Sequence, residues 1–95
     1  MAVLRLDRFT IDPADGAELL SRHAALVAAA KDAFPGLLGV ELAKVDEQSW
    51  IDVWRWDSLA SAQAAVAGAP SIPQAGAAFA LAKNITVEFA EVLDA

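Results

Sequence analysis

The chain has 95 residues, a formal net charge of −6 and no cysteine, while 57% of its residues are apolar. The acidic balance argues against nucleic acid and anionic lipid as partners. One histidine without cysteine leaves no residue set for a zinc or iron–sulfur site, and no apolar run reaches the ~20 residues of a membrane span. We therefore expect one domain over residues 1–95, cytoplasmic, with no bound metal, no nucleic-acid partner and no membrane partner.

The apolar content is high for so short a chain. Folding at this mass buries only about 64% of the surface that the unfolded chain exposes, and no disulfide is available to compensate. Alanine accounts for 23 residues, but 31 larger apolar side chains remain. We therefore expect a permanent partner, most simply a second copy of the same chain.

The first half of the chain predicts a strand followed by a helix. Apolar and polar residues alternate over 2–11, which is typical of a strand. Asp12 is suited to capping a helix that begins at Pro13, and Pro35-Gly36 ends that helix. His23 lies at the centre of its apolar stripe. We expect this imidazole to be buried between helix and sheet, with one ring nitrogen bonded to backbone or water.

The second half predicts a hairpin, a broken helical region and a last strand. The predicted strands are 37–45, 49–56 and 85–93, and the predicted helical pieces are 59–67 and 74–82. Ser58 is a helix cap in this interpretation and not a nucleophile. The order βαββαβ predicts an α+β, ferredoxin-like fold: a four-stranded antiparallel sheet with both helical regions on one face.

The two faces of this sheet differ in composition. We assign the aliphatic face to the helices; it comprises Leu4, Leu6, Leu38, Val40, Leu42, Ile51, Val53, Ile85, Val87 and Phe89. The other face carries all three tryptophans, on one strand, together with Arg5, Asp7, Phe9, Leu37, Glu41, Asp52 and Glu88. Three exposed indoles form a larger apolar patch than a monomer tolerates. We expect a second subunit to cover this face and to enclose a polar-lined cavity.

The segments 34–42 and 50–58 resemble the antibiotic biosynthesis monooxygenase family of the dimeric α/β-barrel superfamily. The resemblance implies a homodimer that binds a small hydrophobic aromatic ligand. It also implies oxidation of an aromatic, polyketide-like phenol or quinol by O₂ with no cofactor: no flavin, haem or metal. In such enzymes the substrate anion reduces O₂ directly, so the protein binds a flat ring, removes a proton and stabilises the anion.

The same resemblance suggests site residues. An asparagine and a tryptophan four residues apart on the third strand are associated with activity, and Asp52 and Trp56 stand at these positions. They are our candidate catalytic residues, with Asp52 as a base. The candidate substrate-binding residues are Trp50, Trp54, Arg5, Glu41 and Phe9.

Other readings of these residues stay open. A cofactor-free isomerase, cyclase or lyase needs only an acid–base pair, such as Asp52 with Glu41 or Glu88. A non-catalytic stress-response or binding protein is the third hypothesis, in which the tryptophans simply fill the barrel. In that case Asp52 forms a salt bridge with Arg5 or with an arginine of a partner chain.

Overall fold

Four strands and three helices follow one another in the predicted order in the computed structural model, which describes residues 1–94. The strands are β1 (Val3–Thr10), β2 (Leu37–Lys44), β3 (Ser49–Trp56) and β4 (Lys83–Glu91). The helices are α1 (Gly16–Ala33), α2 (Leu59–Gly68) and α3 (Pro73–Phe79). Single 3₁₀ turns at Pro13–Asp15 and Ala69–Ser71 precede α1 and α3. The predicted α+β class is confirmed.

Local side-chain bonds begin the helical segments as expected. The Asp12 carboxylate accepts a hydrogen bond from the Ala14 amide at 2.9 Å. Ser58 Oγ accepts one from the Ser61 amide at 3.1 Å and so caps α2. Gly36 lies so close to this cap that an added Cβ would collide with the Ser61 side chain. The glycine thus lets the start of β2 approach the start of α2.

The sheet is antiparallel throughout, with strand order β2-β3-β1-β4. The two central strands pair without a shift, so that Trp54 lies opposite Arg5 and Asp52 lies opposite Asp7. Side chains directly opposite each other in an antiparallel pair share one face of the sheet. This register therefore gathers the ionisable residues of β1 and the tryptophans of β3 on the same side.

The helices cover the tryptophan face, so the predicted assignment of the aliphatic side to the helices is wrong for the central strands β1 and β3. We call this side the covered face; on the central strands it comprises Val3, Arg5, Asp7, Phe9, Trp50, Asp52, Trp54 and Trp56. The three indole side chains are at most 8% exposed within one chain. Trp54 and Trp56 pack against the buried helix residues Leu26, Ala30, Ala62, Ala65, Ala75 and Ala78. Alanine-rich helices leave room for large indoles, so one chain fills this layer itself.

The outer strands also depart from simple alternation. A bulge between Leu37 and Gly39 shifts the pairing of β2, so Leu37, Val40 and Leu42 all share the covered face. In β4, Val87 lies opposite Asp7 and Phe89 opposite Arg5. The aliphatic side of β4 therefore faces the helices, as predicted, but it shares this face with the tryptophans and not with Leu4 and Leu6.

The opposite side, which we call the open face, carries no helix. On the central strands it comprises Leu4, Leu6, Arg8, Ile51, Val53 and Arg55. Its four aliphatic side chains are only half-buried, and on the outer strands Glu41 and Glu88 lie on this side. No helix within residues 1–94 is long and apolar enough to cross a membrane.

Candidate functional site

A buried carboxylate lies at the centre of the covered face. Asp52 Oδ1 is 2.9 Å from His23 Nε2, and Asp52 Oδ2 accepts a hydrogen bond from Trp54 Nε1 at 2.8 Å. Asp52 is 7% exposed. The strand β3 points Asp52 and Trp54 to the same side, and α1 places His23 above them. Both oxygens of the carboxylate are thus engaged by groups from two different elements.

A second buried carboxyl lies on the neighbouring strand β1, opposite Asp52 and on the same face of the sheet. Asp7 is 3% exposed and forms an ion pair with Arg5, whose Nε is 3.0 Å from Oδ1. Burial raises the pKa of Asp7; the Arg5 charge opposes this shift and the nearby charge of Asp52 adds to it. The site therefore contains two facing carboxyls, one of which holds its proton more readily than an ordinary aspartate.

Aromatic rings continue from this centre in a row that we call the aromatic row: His23, Trp54, Trp56 and Phe34. The His23 and Trp54 rings meet edge to face with centroids 6.0 Å apart. The Trp54 and Trp56 rings are nearly parallel, 12° apart, with centroids 6.3 Å apart. Phe34 then meets Trp56 edge to face at 6.1 Å. The two parallel indoles offer flat surfaces against which a planar ligand can stack.

Two small cavities adjoin the row, between the sheet and the helices. The larger has a volume of about 60 Å³ and is lined by Arg5, Asp7, Phe34, Trp54 and Trp56, with a wall of helix alanines. The smaller, about 20 Å³, is lined by His23 and Asp52 among others. Asp7, Leu26 and Phe79 line both. The cavities are therefore neighbours, separated only by side chains.

An unused hydrogen-bond donor belongs to a residue that lines the larger cavity. Within the described residues, the indole Nε1–H groups of Trp50 and Trp56 are buried and donate to no protein acceptor. A buried donor without a partner costs about 1–3 kcal/mol. Trp56 also lines the larger cavity, so its N–H is a candidate donor to a ligand that enters there.

The structure brings together most, but not all, of the predicted site residues. Asp52, Trp54, Trp56 and Arg5 line the two cavities, and Phe9 lines the smaller one. Trp50 belongs to a separate buried cluster with Phe9, Ile11 and Leu19 at the other end of the sheet. Glu41 lies on the open face and is exposed, so it does not reach either cavity.

His23 is the site residue that sequence reasoning missed. Its predicted position between helix and sheet agrees with a side chain 13% exposed. Its bonding partner is the carboxylate of Asp52, where we expected backbone or water. Its place in the apolar stripe of α1 was the only signal, because the contact with β3 spans 29 residues and depends on how the helix docks.

Known structures resemble the whole chain. SnoaB, a cofactor-independent oxygenase from Streptomyces nogalater, aligns over 99% of this chain and 95% of its own, with 22% identity and a TM-score of 0.74. A Caulobacter crescentus structure, assigned as an antibiotic biosynthesis monooxygenase, aligns over 98% of this chain and 91% of its own, with 18% identity and a TM-score of 0.80. This chain has the antibiotic biosynthesis monooxygenase fold. The predicted resemblance is confirmed at the level of the fold.

The antibiotic biosynthesis monooxygenase fold also occurs in a structure with a different activity. The haem degrader MhuD from Mycobacterium tuberculosis, whose active site binds two haems, aligns over 98% of this chain and 97% of its own, with 27% identity and a TM-score of 0.74. No protein-family model matches the sequence, and no curated protein sequence is significantly similar to it. The fold alone therefore leaves more than one reaction open.

The described side chains do not fit haem. The larger cavity, about 60 Å³, is far smaller than a porphyrin. His23 is the chain's one histidine, and its Nε2 is bonded to Asp52. Within residues 1–94, no three His, Asp or Glu side chains converge as a metal site would require. We therefore derive no chemistry through haem or a metal ion.

Proposed function

We propose that this protein oxidises a small aromatic phenol, quinol or anthrone-like molecule with O₂, without a bound cofactor, in the cavities beside the aromatic row. The buried Asp52 carboxylate, engaged by His23 and Trp54 at the edge of an indole-lined cavity, is the observation that carries this proposal. Ionisable groups that converge on an apolar cavity are typical of active sites. The likeness in fold to a cofactor-independent oxygenase supports the same reaction class.

Oxidation of a phenol by O₂ requires few catalytic groups from the protein. A phenolate is electron-rich enough to reduce O₂ directly. A phenol with a free para carbon and one O₂ give a para-quinone and one water: one oxygen atom becomes the new carbonyl, and the other leaves with the hydroxyl hydrogen and the ring hydrogen. The site must remove the first proton, hold the ring and stabilise the oxyanion.

The described residues supply these three roles. Trp54 and Trp56 provide flat apolar surfaces for the ring. The unpartnered Trp56 Nε1–H can donate to the substrate oxygen, where negative charge develops. The linked pair of His23 and Asp52 provides the proton acceptor. Arg5 adds a positive charge at the floor of the larger cavity.

Binding a ring requires the cavities to join. A dry cavity of roughly 150 Å³ accommodates benzene in a well-studied lysozyme variant, whereas the larger cavity here is about 60 Å³. Phe79, the last residue of α3, lines both cavities and is 39% exposed. A rotation of this ring towards solvent would merge the two spaces and add the volume that the ring itself vacates. We expect Phe79 to move when substrate enters.

The proposal includes a homodimer formed through the open face. Leu4, Leu6, Ile51 and Val53 make an apolar centre that no part of residues 1–94 covers. A sheet with one apolar uncovered face is stabilised by packing on a second sheet. The partner thus covers the aliphatic face, and the tryptophan face stays within one subunit.

An oxygen-independent isomerase or lyase is the second candidate function. The facing carboxyls of Asp7 and Asp52 favour it, because burial raises the pKa of Asp7 above that of an ordinary aspartate and proton shuttling needs an acid beside a base. The acid–base partners predicted from sequence, Glu41 and Glu88, are on the open face and cannot serve. Turnover that persists under nitrogen would identify this function.

Oxygen uptake with 9-anthrone as the probe tests the first proposal. We expect enzyme-dependent uptake of one O₂ per quinone formed. Trp56→Phe keeps the ring but removes the N–H, and should lower kcat by about 10²-fold, as the loss of an oxyanion donor does. Asp52→Ala should lower it further. Gln63→Ala, at an exposed position of α2, is the matched control and should be unaffected.

Two results would contradict this proposal. One is uptake by the wild type no faster than uncatalysed autoxidation with anthrones, phenols and quinols. The other is full activity in both Asp52→Ala and Trp56→Phe. Because anthrones autoxidise, each rate is measured against the Asp52→Ala protein at the same concentration as well as against buffer.

A further inference from the structure

The hydrogen bonds around Asp52 determine which nitrogen of His23 carries a proton. An indole N–H can only donate, so Asp52 Oδ2 is an acceptor from Trp54. The other oxygen, Oδ1, faces His23 Nε2 at 2.9 Å. With Asp52 ionised, Oδ1 also accepts, and the neutral imidazole carries its hydrogen on Nε2. The lone pair of the ring is then on Nδ1.

Nδ1 is the available atom of this unit. Within residues 1–94 no group bonds to it, and it is not fully buried. His23 lines the smaller cavity, which shares Asp7 and Phe79 with the indole-lined cavity. Both oxygens of Asp52, in contrast, are already engaged. The atom best able to take a proton from a ligand therefore belongs to His23.

We propose that His23 is the catalytic base, which accepts the substrate hydroxyl proton on Nδ1, and that Asp52 is a positioning residue that fixes the tautomer. This inference rests on the proposed function, because it names the proton acceptor for that reaction. The substrate O–H bond breaks (for 9-anthrone, that of its 9-hydroxyanthracene tautomer), the Nδ1–H bond forms and the electron pair stays on the substrate oxygen. The imidazolium returns its proton when water leaves.

The charged surroundings of His23 suit this role. Asp52 on β3 and Asp7 on β1 face it, and Arg5 is paired to Asp7. The neighbouring parts of α3 and β4 contribute only apolar side chains, Ala78, Phe79 and Ile85. The carboxylate of Asp52, which contacts the ring, stabilises the positive charge that the ring gains on accepting a proton. The aspartate–histidine unit of serine hydrolases works by the same division of labour.

The first test measures the tautomer without any substrate. His23 is the chain's one histidine, so ¹⁵N NMR of the untagged protein reports this ring alone. We expect the hydrogen on Nε2 in the wild type. In Asp52→Asn, Trp54 Nε1–H still needs an acceptor and orients the amide oxygen towards itself, so the amide NH₂ faces Nε2. The hydrogen should then move to Nδ1.

The second test measures catalysis with 9-anthrone. His23→Gln can still donate to Asp52 but offers no base, and should lower kcat by at least about 100-fold with little change in KM. Asp52→Asn, with Nδ1 blocked by its hydrogen, should be similarly slow. Added imidazole should restore turnover in His23→Ala but not in Trp56→Phe. Ser21→Ala, on the exposed side of α1, is the control and should behave as wild type.

The outcomes separate this inference from the proposed function. An active wild type with an equally active His23→Gln would overturn the role of His23 and leave the oxygenase proposal standing. A wild type with hydrogen on Nδ1 would overturn it as well, whatever the activity. An inactive wild type with the expected tautomer switch would contradict the oxygenase proposal while supporting the positioning role of Asp52.

Discussion

Side chains of each central strand alternate between the two faces of the sheet, and the residues on the two faces differ in chemistry. On β3, Asp52 and Trp54 point to the covered face and are buried, while Ile51 and Val53 point to the open face and are half-buried. An ordinary protein would place the aliphatic side under its helices and leave the ionisable side in water. Here the arrangement on the central strands is reversed, which separates the candidate site inside the chain from the open face that we propose for assembly.

The reversal has an energetic consequence on the covered face. Burial removes Asp7 and Asp52 from water, which costs free energy. Arg5 compensates part of this cost for Asp7, and His23 and Trp54 do so for Asp52. Large indoles offset this cost, since each buries roughly 150–250 Å². The covered face thus retains unfavourable polar groups where apolar residues would be more stable. Such a local conflict is expected at functional sites.

The largest expected effect is a difference in the free energy of unfolding between substitutions at two adjacent residues of β3. Trp54→Ala removes a buried indole and should lower the free energy of unfolding by about 3–5 kcal/mol. Val53→Ala removes less surface from the open face and should cost about 1 kcal/mol in the isolated subunit. Urea unfolding at one protein concentration, low enough that sedimentation shows both variants as monomers, compares them. Equal losses would contradict the distinction between the faces.

A charge on the open face should affect assembly more than folding. Val53→Asp places a carboxylate in the apolar centre, where a partner would have to desolvate it. We expect sedimentation to change from a dimer to a monomer near 9.9 kDa. Leu59→Asp, at an exposed apolar position on α2, should remain dimeric. A wild type that sediments as a monomer at micromolar concentration would overturn the proposed dimer.

The sequence predicts the strands and helices to within a few residues because periodicity, caps and Pro-Gly breaks are local signals. Asp12, Ser58 and Pro35-Gly36 mark helix ends directly. The choice of which face the helices cover is not local. It depends on whether small helix residues fit large strand residues, and the alanines of α2 and α3 are complementary to Trp54 and Trp56.

The candidate site was predictable in part for the same reason. Asp52 and the tryptophans share a face by alternation alone, so their proximity follows from the sequence. The prediction of Glu41 beside them is wrong because the bulge after Leu37 shifts the pairing of β2, so that Val40 and Leu42, and not Glu41, share the tryptophan face. The bond between His23 and Asp52 could not be predicted, since it requires the docking of α1 on β3.

A smaller effect is the pH dependence of stability, which should differ between a buried carboxyl and an exposed one. Asp7 has a raised pKa, chiefly from burial, so the folded protein binds this proton more tightly than the unfolded chain. Ionised Asp7 therefore destabilises the fold, and stability from this residue increases as pH falls through its raised pKa. Asp7→Asn should be more stable than wild type at neutral pH. The difference should shrink as the pH falls through this raised pKa and be lost below about 4, the pKa of an aspartate in the unfolded chain.

Asp46, in the exposed turn between β2 and β3, should show the opposite sign. Backbone hydrogen bonds from Gln48 and Ser49 lower its pKa. The stability that ionised Asp46 contributes is present at neutral pH and is lost as the pH falls through the lowered pKa. Asp46→Ala should be less stable than wild type at neutral pH and converge with it in acid. Melting temperatures from pH 2.5 to 8 test both signs; the same trend in both variants would contradict the assignment.

The smallest expected effect concerns the ion pair between Arg8 and Glu88 at the edge of the open face. Its atoms are 3.2 Å apart, and the side chains are 54% and 60% exposed in one chain. In the monomeric Val53→Asp background, a double-mutant cycle should give a coupling below about 0.5 kcal/mol that salt removes. In the dimer, exclusion of water by the partner should strengthen this coupling and reduce its salt dependence. Equal couplings in the two backgrounds would exclude this edge from the interface and confine subunit contact to the aliphatic centre.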